Sequence, residues 1–443
     1  MSIASQLGPV SRTGPGSAPS PAAHELTSHR PDRVATWSTV YDDPGWGDPA
    51  DDPAGEDPAD DPSQSPRPRA APLILLTPGP LTTSDRTRAA ATFDLGSWDA
   101  PFAALTAEVC DRLTAILERG AQDYVCVPLQ GSGTFAVEAA VRTFVPLGSG
   151  LVVVSNGAYG DRIAAIGRAA GRPVAHCRGA WDEPVDPAAV AAYLADLPAW
   201  YGHVAVVHCE TSTGVLNRLE PIADVVGQSG RELLVDAMSS FGALDLPAWH
   251  PALTAIVAAS GKCLEGLPGL GFVLARQGAL RAATGQCDSL ALDLADQRAY
   301  LERTGQWRFT PPVQVVAALA QALVEHAAEG GRAGRLARYQ ANSAALADGL
   351  AGLGLRPYLA PDCQAPIIHT VYPPPHPNWD FDRFYHLVRQ RGFVLYPGKL
   401  TEAETFRVGC IGRVDPDDLR RAVAAMAEAL HLMGCPNGGG RED

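Results

Sequence analysis

The segment AASGKCLEGLPGLGF (258–272) sets one lysine, Lys262, between two apolar runs, TAIVAAS (254–260) and GFVL (271–274). Small residues flank the lysine, and Gly and Pro follow it. The first run therefore reads as a buried strand ending in a turn that carries an amine. A lone lysine there would read as solvated surface. Working outward, LLVDAMSSFG (233–242) closes another apolar strand on Asp236, 26 positions before Lys262. A carboxylate at the end of such a strand sits where open α/β sheets bind ligands, although a lone Asp would read as a loop cap. Further back, GSGT (131–134) separates the strand Tyr124 to Pro128 from the helical pattern FAVEAAVRTF (135–144).

The same alternation extends on both sides. Short β-branched runs lie at Leu151 to Ser155, His203 to His208, Glu232 to Asp236, Ala255 to Ala259 and Gly271 to Leu274. Helical periodicity marks Asp161 to Ala170, Pro187 to Leu194 and Leu219 to Gln228. Fully apolar strands alternating with amphipathic helices predict an α/β fold with a mostly parallel sheet between helices. Helices continue at Pro311 to Glu329 and Leu336 to Leu353. Beyond them the strands Ile367 to Tyr372, Phe393 to Leu395 and Thr405 to Val408 interleave with the helices Phe381 to Arg391 and Pro416 to Leu432. The expected division is a large domain over 71–328, with 71–95 as an N-terminal segment near the active site, a smaller α/β domain over 329–435, and a flexible tail at 436–443. Residues 1–70, rich in Pro, Ser, Gly and Asp, lack an apolar period and read as a disordered extension.

Composition narrows the function. The net charge is −14, but Asp42 to Asp61 alone hold nine carboxylates and no Lys or Arg, which leaves about −5 elsewhere. No basic face for nucleic acid is implied. The apolar stretches are too short to cross a bilayer, and no export signal is visible, so a cytoplasmic location is expected. The nine cysteines are scattered without a CxxC pair and read as reduced thiols, without disulfides or a zinc site.

The turn Gly131 to Thr134 presents backbone N–H groups at a helix start, and the hydroxyls of Ser132 and Thr134 add donors, which is a phosphate cradle. Gly131, Gly133 and Ala136 also fit a GxGxxA dinucleotide fingerprint. That use needs an acidic residue ending the next strand, where Ser155 and Asn156 stand instead. No GK[ST] follows, so a Walker loop is excluded. Pyridoxal 5'-phosphate needs a phosphate cradle, a carboxylate to keep its ring nitrogen protonated, and a lysine amine for covalent attachment. The chain offers all three in what read as successive βα units.

Longer strings carry a resemblance. TPGPLT (77–82), GSWD (96–99), VCVPLQGSGTFAVEAA (125–140), NGAYGDR (156–162), HCETSTGVLN (208–217), VDAMSSFGAL (235–244), AASGKCLEGLPGLGF (258–272), TGQWRFTPP (304–312), RQRGFVLYPGKL (389–400) and ETFRVGCIG (404–412) resemble the 2-aminoethylphosphonate:pyruvate transaminases. These are class V aminotransferases of the pyridoxal-phosphate-dependent fold type I. The resemblance covers about residues 73–430 and is looser to the alanine:glyoxylate and serine:pyruvate branch, the alternative activity. It implies transamination of 2-aminoethylphosphonate with pyruvate, giving phosphonoacetaldehyde and L-alanine, in phosphonate catabolism. Lys262 would be the Schiff-base lysine and Asp236 the ring-nitrogen partner. Ser132, Gly133 and Thr134 would bind the phosphate, Tyr159 would stack on the ring, and Thr211 or Thr213 would contact its phenolic edge. Thr310 would reach the phosphate from the neighbouring subunit, implying a homodimer with shared active sites, and Arg407 would grip the substrate's acid group.

Overall fold

The computed structural model describes residues 73–400 and 403–435, so the expected N-terminal extension and C-terminal tail lie outside the described residues. The chain opens with strand β1 (Ile74–Leu75) and helices α1 (Asp85–Ala90) and α2 (Ala100–Ala115). The alternation then runs through β2 (Tyr124–Gln130), α3 (Gly133–Phe144), β3 (Leu151–Ser155), α4 (Ala158–Ala169), β4 (Val174–Arg178), α5 (Pro187–Ala195) and β5 (His203–Val207). Next come the short strands β6 (Cys209–Glu210) and β7 (Val215–Leu216), then α6 (Leu219–Gln228), β8 (Glu232–Asp236), β9 (Leu253–Ala259) and β10 (Leu270–Arg276). Helices α7 (Gln277–Ala282), α8 (Leu294–Thr304), α9 (Val313–Ala328) and α10 (Gly331–Gly352) follow. Last are β11 (Ile368–Val371), α11 (Phe381–Gln390), β12 (Phe393–Val394), β13 (Tyr396–Pro397), β14 (Phe406–Gly409) and α12 (Pro416–Met433).

Seven strands form the central sheet in the order β2-β10-β9-β8-β5-β3-β4. The pairs among β4, β3, β5, β8 and β9 are parallel, whereas β10 runs antiparallel to both β9 and β2. Because side chains alternate along a strand, successive residues enter opposite layers. Val152, Val154, Val204, Val206, Leu233 and Val235 join a core cluster with Leu113, Leu194, Ile222, Val226 and Leu319 from α2, α5, α6 and α9. Their neighbours Leu151, Val153, Ala205, Val207 and Leu234 join Val137, Val141, Ile163 and Leu280 from α3, α4 and α7. Each such buried aliphatic side chain stabilises the fold by roughly 1.5–3 kcal/mol, so the uniformly apolar strands are held in the middle of three layers.

A third cluster gathers Leu346, Leu350, Phe384, Phe406, Met426 and Leu430 with Leu76 from the N-terminal segment. There β1 pairs in parallel with β12, Ile74 opposite Phe393. A fourth cluster, with Leu81, Cys263, Tyr339, Ile367 and Ile411, lies beside the Lys262 turn.

One expectation is corrected. Only the glycine turn belongs to a βα unit. After β8 the chain passes through the turns of residues 237–252 straight into β9, and Lys262 sits on the β9–β10 connection between antiparallel strands. Asp236 still ends β8, and Lys262 lies just beyond the end of the adjacent parallel strand β9, whose Val257 pairs with Asp236.

Candidate active site

Asp236 is the last residue of β8 and is buried, with Oδ1 accepting the Met238 N–H at 2.9 Å. Burial pushes its carboxyl up to about 6, and neighbouring Glu210 pushes the same way against the Met238 N–H, Lys262 and Arg162. Met238 joins this carboxylate to the glycine turn, because a Cβ at Gly133 would collide with its sulfur. Any larger residue at 133 would displace the Met238 side chain from the turn.

At that turn Ser132 is the residue before α3, and its side chain makes no capping bond. The N–H groups of Ser132, Gly133 and Thr134 have no acceptor among the described residues. Open donors at the positive end of a 12-residue helix, beside an uncommitted hydroxyl, suit a phosphate. Thr134 Oγ1 accepts from Arg162 Nη1 at 3.5 Å, and the Arg162 guanidinium carbon lies 4.8 Å from the centre of the Tyr159 ring.

Lys262 is half-buried, and Nζ donates to the carbonyl of Pro78 in the N-terminal segment. A Cβ on Gly79, whose φ is +118°, would lie 3.0 Å from Lys262 Cδ. Burial lowers the amine's pKa, and Arg407 adds to that against Tyr159, Cys263 and Asp236. A lysine in this state is more readily uncharged and nucleophilic near neutral pH.

Arg407 lies within β14 with only 2% of its surface exposed. Its Nη1 donates to Thr211 O at 3.0 Å and its Nε to Pro397 O at 3.0 Å. Tyr159 stands between these groups. Burial would raise its phenol pKa, but Lys262, Lys399 and Arg407 together hold it below the ordinary value. The Tyr159 and Gly160 N–H groups at the start of α4 donate to Glu210, a fully buried carboxylate.

The two threonines of ETSTG differ. Thr211 Oγ1 bonds Ser239 Oγ, while Thr213 is fully buried and its hydroxyl accepts the Val215 N–H at 3.4 Å. Thr310 is not brought to the cluster within this chain. It is exposed on the loop between α8 and α9 and hydrogen-bonds to none of these residues. Glu210, Arg162, Lys399 and Pro78 were given no role from the sequence, although all four stand inside the strings quoted for the resemblance. The signal was a charge within a string of small or apolar residues.

A turn that admits an anion, a buried acid, a depressed lysine and a buried arginine, on a sheet of this topology, define an aminotransferase of fold type I. Alanine–glyoxylate aminotransferase from Nostoc sp. superposes with a TM-score of 0.76 at 24% identity, over 84% of this chain and 99% of that one. Phosphoserine aminotransferase from Trichomonas vaginalis, solved with pyridoxal phosphate bound, gives 0.65 at 15% identity over 80% and 99%. No family model matches the chain. The 2-aminoethylphosphonate–pyruvate transaminase of Pseudomonas putida strain W619 is 54% identical over 360 residues, covering 81% of this chain and 97% of that protein. The chain belongs to the 2-aminoethylphosphonate–pyruvate transaminase family.

Proposed function

We propose that the protein transfers the amino group of 2-aminoethylphosphonate to pyruvate, releasing phosphonoacetaldehyde and L-alanine, with pyridoxal phosphate as cofactor. The observation that carries this is the convergence of Lys262, Asp236, Tyr159 and Arg407 beside the open N–H groups of α3. Ser132, Gly133 and Thr134 would hold the cofactor's phosphate, Tyr159 would cover its ring, Thr211 or Thr213 would meet its phenolic edge, and Asp236 would face its ring nitrogen. When bound, the cofactor supplies a covalent handle for amines and an electron sink beside them.

The chain's own residues do the rest. Asp236, protonated more readily than usual in its buried setting, becomes a stable anion once a cation lies against it. Lys262 Nζ, kept readily uncharged, takes the proton from the carbon that bears the amino group and returns it elsewhere, as general base and then acid. Arg407 presents a guanidinium whose remaining donors fit a carboxylate or a phosphonate. Pro78 O, accepting from the Lys262 amine, would hold it in position.

A homodimer with Thr310 reaching the partner's phosphate site belongs to this proposal. Exposed Trp98 and Phe309, at 77% and 45%, support it, because Gln306 Nε2 ties Trp98 O to the Thr310 loop at 3.2 Å. Apolar groups left on one surface mark an interface. A cytoplasmic setting is also proposed: all nine cysteines are free thiols, as a reducing compartment keeps them. No described helix is long and apolar enough to cross a membrane.

The test is product analysis with 2-aminoethylphosphonate and pyruvate, with alanine and the aldehyde expected in equal amounts. Lys262→Ala is expected to lose turnover together with the visible absorbance of covalently held cofactor. A Lys262→Ala enzyme of full activity, or a clear preference of the native enzyme for glyoxylate with alanine, would overturn the proposal.

A further inference from the structure

Three cations, Arg162, Arg407 and Lys399, together with the Lys262 amine surround the Tyr159 ring, and none is ion-paired with a carboxylate among the described residues. Uncompensated positive charge in a half-buried site calls for anions. Lys262 is the attachment amine, and Arg162 reaches the cradle through Thr134, so its charge faces the cofactor phosphate. Arg407 supplies one charge for the substrate's acid. Lys399 is left over.

Lys399 Nζ lies 3.4 Å from the Tyr159 hydroxyl and 4.8 Å from the ring centre. It stands two residues after Pro397, whose carbonyl holds Arg407 Nε at 3.0 Å. One short loop therefore orients the arginine and adds a second cation to the same side of Tyr159. A carboxylate is neutralised by one such group, whereas a phosphonate, like a phosphate monoester, carries close to two negative charges near neutral pH and a third oxygen to bind.

We propose that Lys399 is a second anchor for the substrate's phosphonate and, with Arg407, makes the site prefer a phosphonate dianion over a carboxylate. This rests on the function proposed above. The lysine's three rotatable donors suit an oxygen that Arg407's planar fork leaves free, and a charge-assisted hydrogen bond of this kind corresponds to roughly 10- to 100-fold in binding.

The experiment compares native holoenzyme with Lys399→Met and Lys399→Arg. Single-turnover half-reactions are followed with 2-aminoethylphosphonate and with L-alanine, and the same enzymes are titrated calorimetrically with ethylphosphonate and propionate. In Lys399→Met, the ratio of kcat/KM for the phosphonate donor to that for alanine is expected to fall at least tenfold. The Kd of ethylphosphonate should rise at least tenfold more than that of propionate, with Lys399→Arg recovering most of both. Equal losses for phosphonate and carboxylate, or none, would overturn the assignment and leave Lys399 as a prop for Tyr159. If the native enzyme fails to use 2-aminoethylphosphonate, the parent function falls, while the ethylphosphonate and propionate titrations still decide whether Lys399 binds phosphonate.

Discussion

Asp236 shows burial and charge acting against each other on one side chain. Alone in its pocket it holds its proton to about pH 6, and a cation opposite it would reverse that balance. Asp236→Asn keeps the shape and removes the charge. We expect kcat/KM to fall about 100- to 1000-fold, the scale of losing one preorganised electrostatic partner. Steady-state kinetics on cofactor-saturated enzyme checks this, and a loss under tenfold would remove Asp236 from the reaction. Asp236 and Lys262 were legible because each is a polar residue closing an apolar run, which is a local pattern. Glu210 and Lys399 were not, because what distinguishes them is the partner each meets, the start of α4 and the Tyr159 ring.

Among the elements, the β9–β10 turn is fixed from below. Glu265 has a φ of +59°, a backbone region costly for a residue with a side chain. Its buried carboxylate is held by Arg338 Nη2 at 2.6 Å and the Tyr339 hydroxyl at 2.7 Å, both on α10, where Arg335 also donates to Cys263 O. Glu329 bridges the two arginines. Burial would raise its carboxyl pKa, but Arg338 and Arg335 bring it down to about 2. A lowered carboxyl pKa contributes stability that is fully present above the unfolded value of 4.5 and is lost as pH falls toward 2. Arg338→Ala, which leaves buried carboxylates short of a partner, is expected to cost about 3 kcal/mol at pH 7. The gap from native protein should narrow below pH 4.5. Denaturant unfolding at pH 7 and pH 3.5 measures both, and an equal gap at the two values would mean that the network does not titrate as described. Sequence patterning gave the ends of β3, β8 and α6 to the residue, since each boundary coincides with a change of periodicity. It left out the helices α1, α2, α7 and α8.

The whole molecule leaves apolar groups exposed on the face that carries Trp98 and Phe309. Light scattering is expected to give a dimer for the native protein. Trp98→Glu, far from Lys262 in sequence, should shift it toward monomer and lower activity at least tenfold at equal cofactor, because each site would lose the partner's Thr310. A monomeric variant with full activity would show that each chain's site is complete by itself.

What the sequence by itself determined is the succession of strands and helices and the residue types that close them. Apolar periodicity, glycine turns and helix starts act over a few neighbours, so Lys262, Asp236 and the GSGT turn announce themselves locally. Only the tertiary structure decided that β10 turns back antiparallel between β9 and β2, and that Arg407 reaches Thr211 across 196 positions of chain. It likewise set three cations and the Lys262 amine around one tyrosine. Strand pairing and charge clustering depend on which distant segments share a core, and burial of the whole sheet settles that rather than any short stretch of residues.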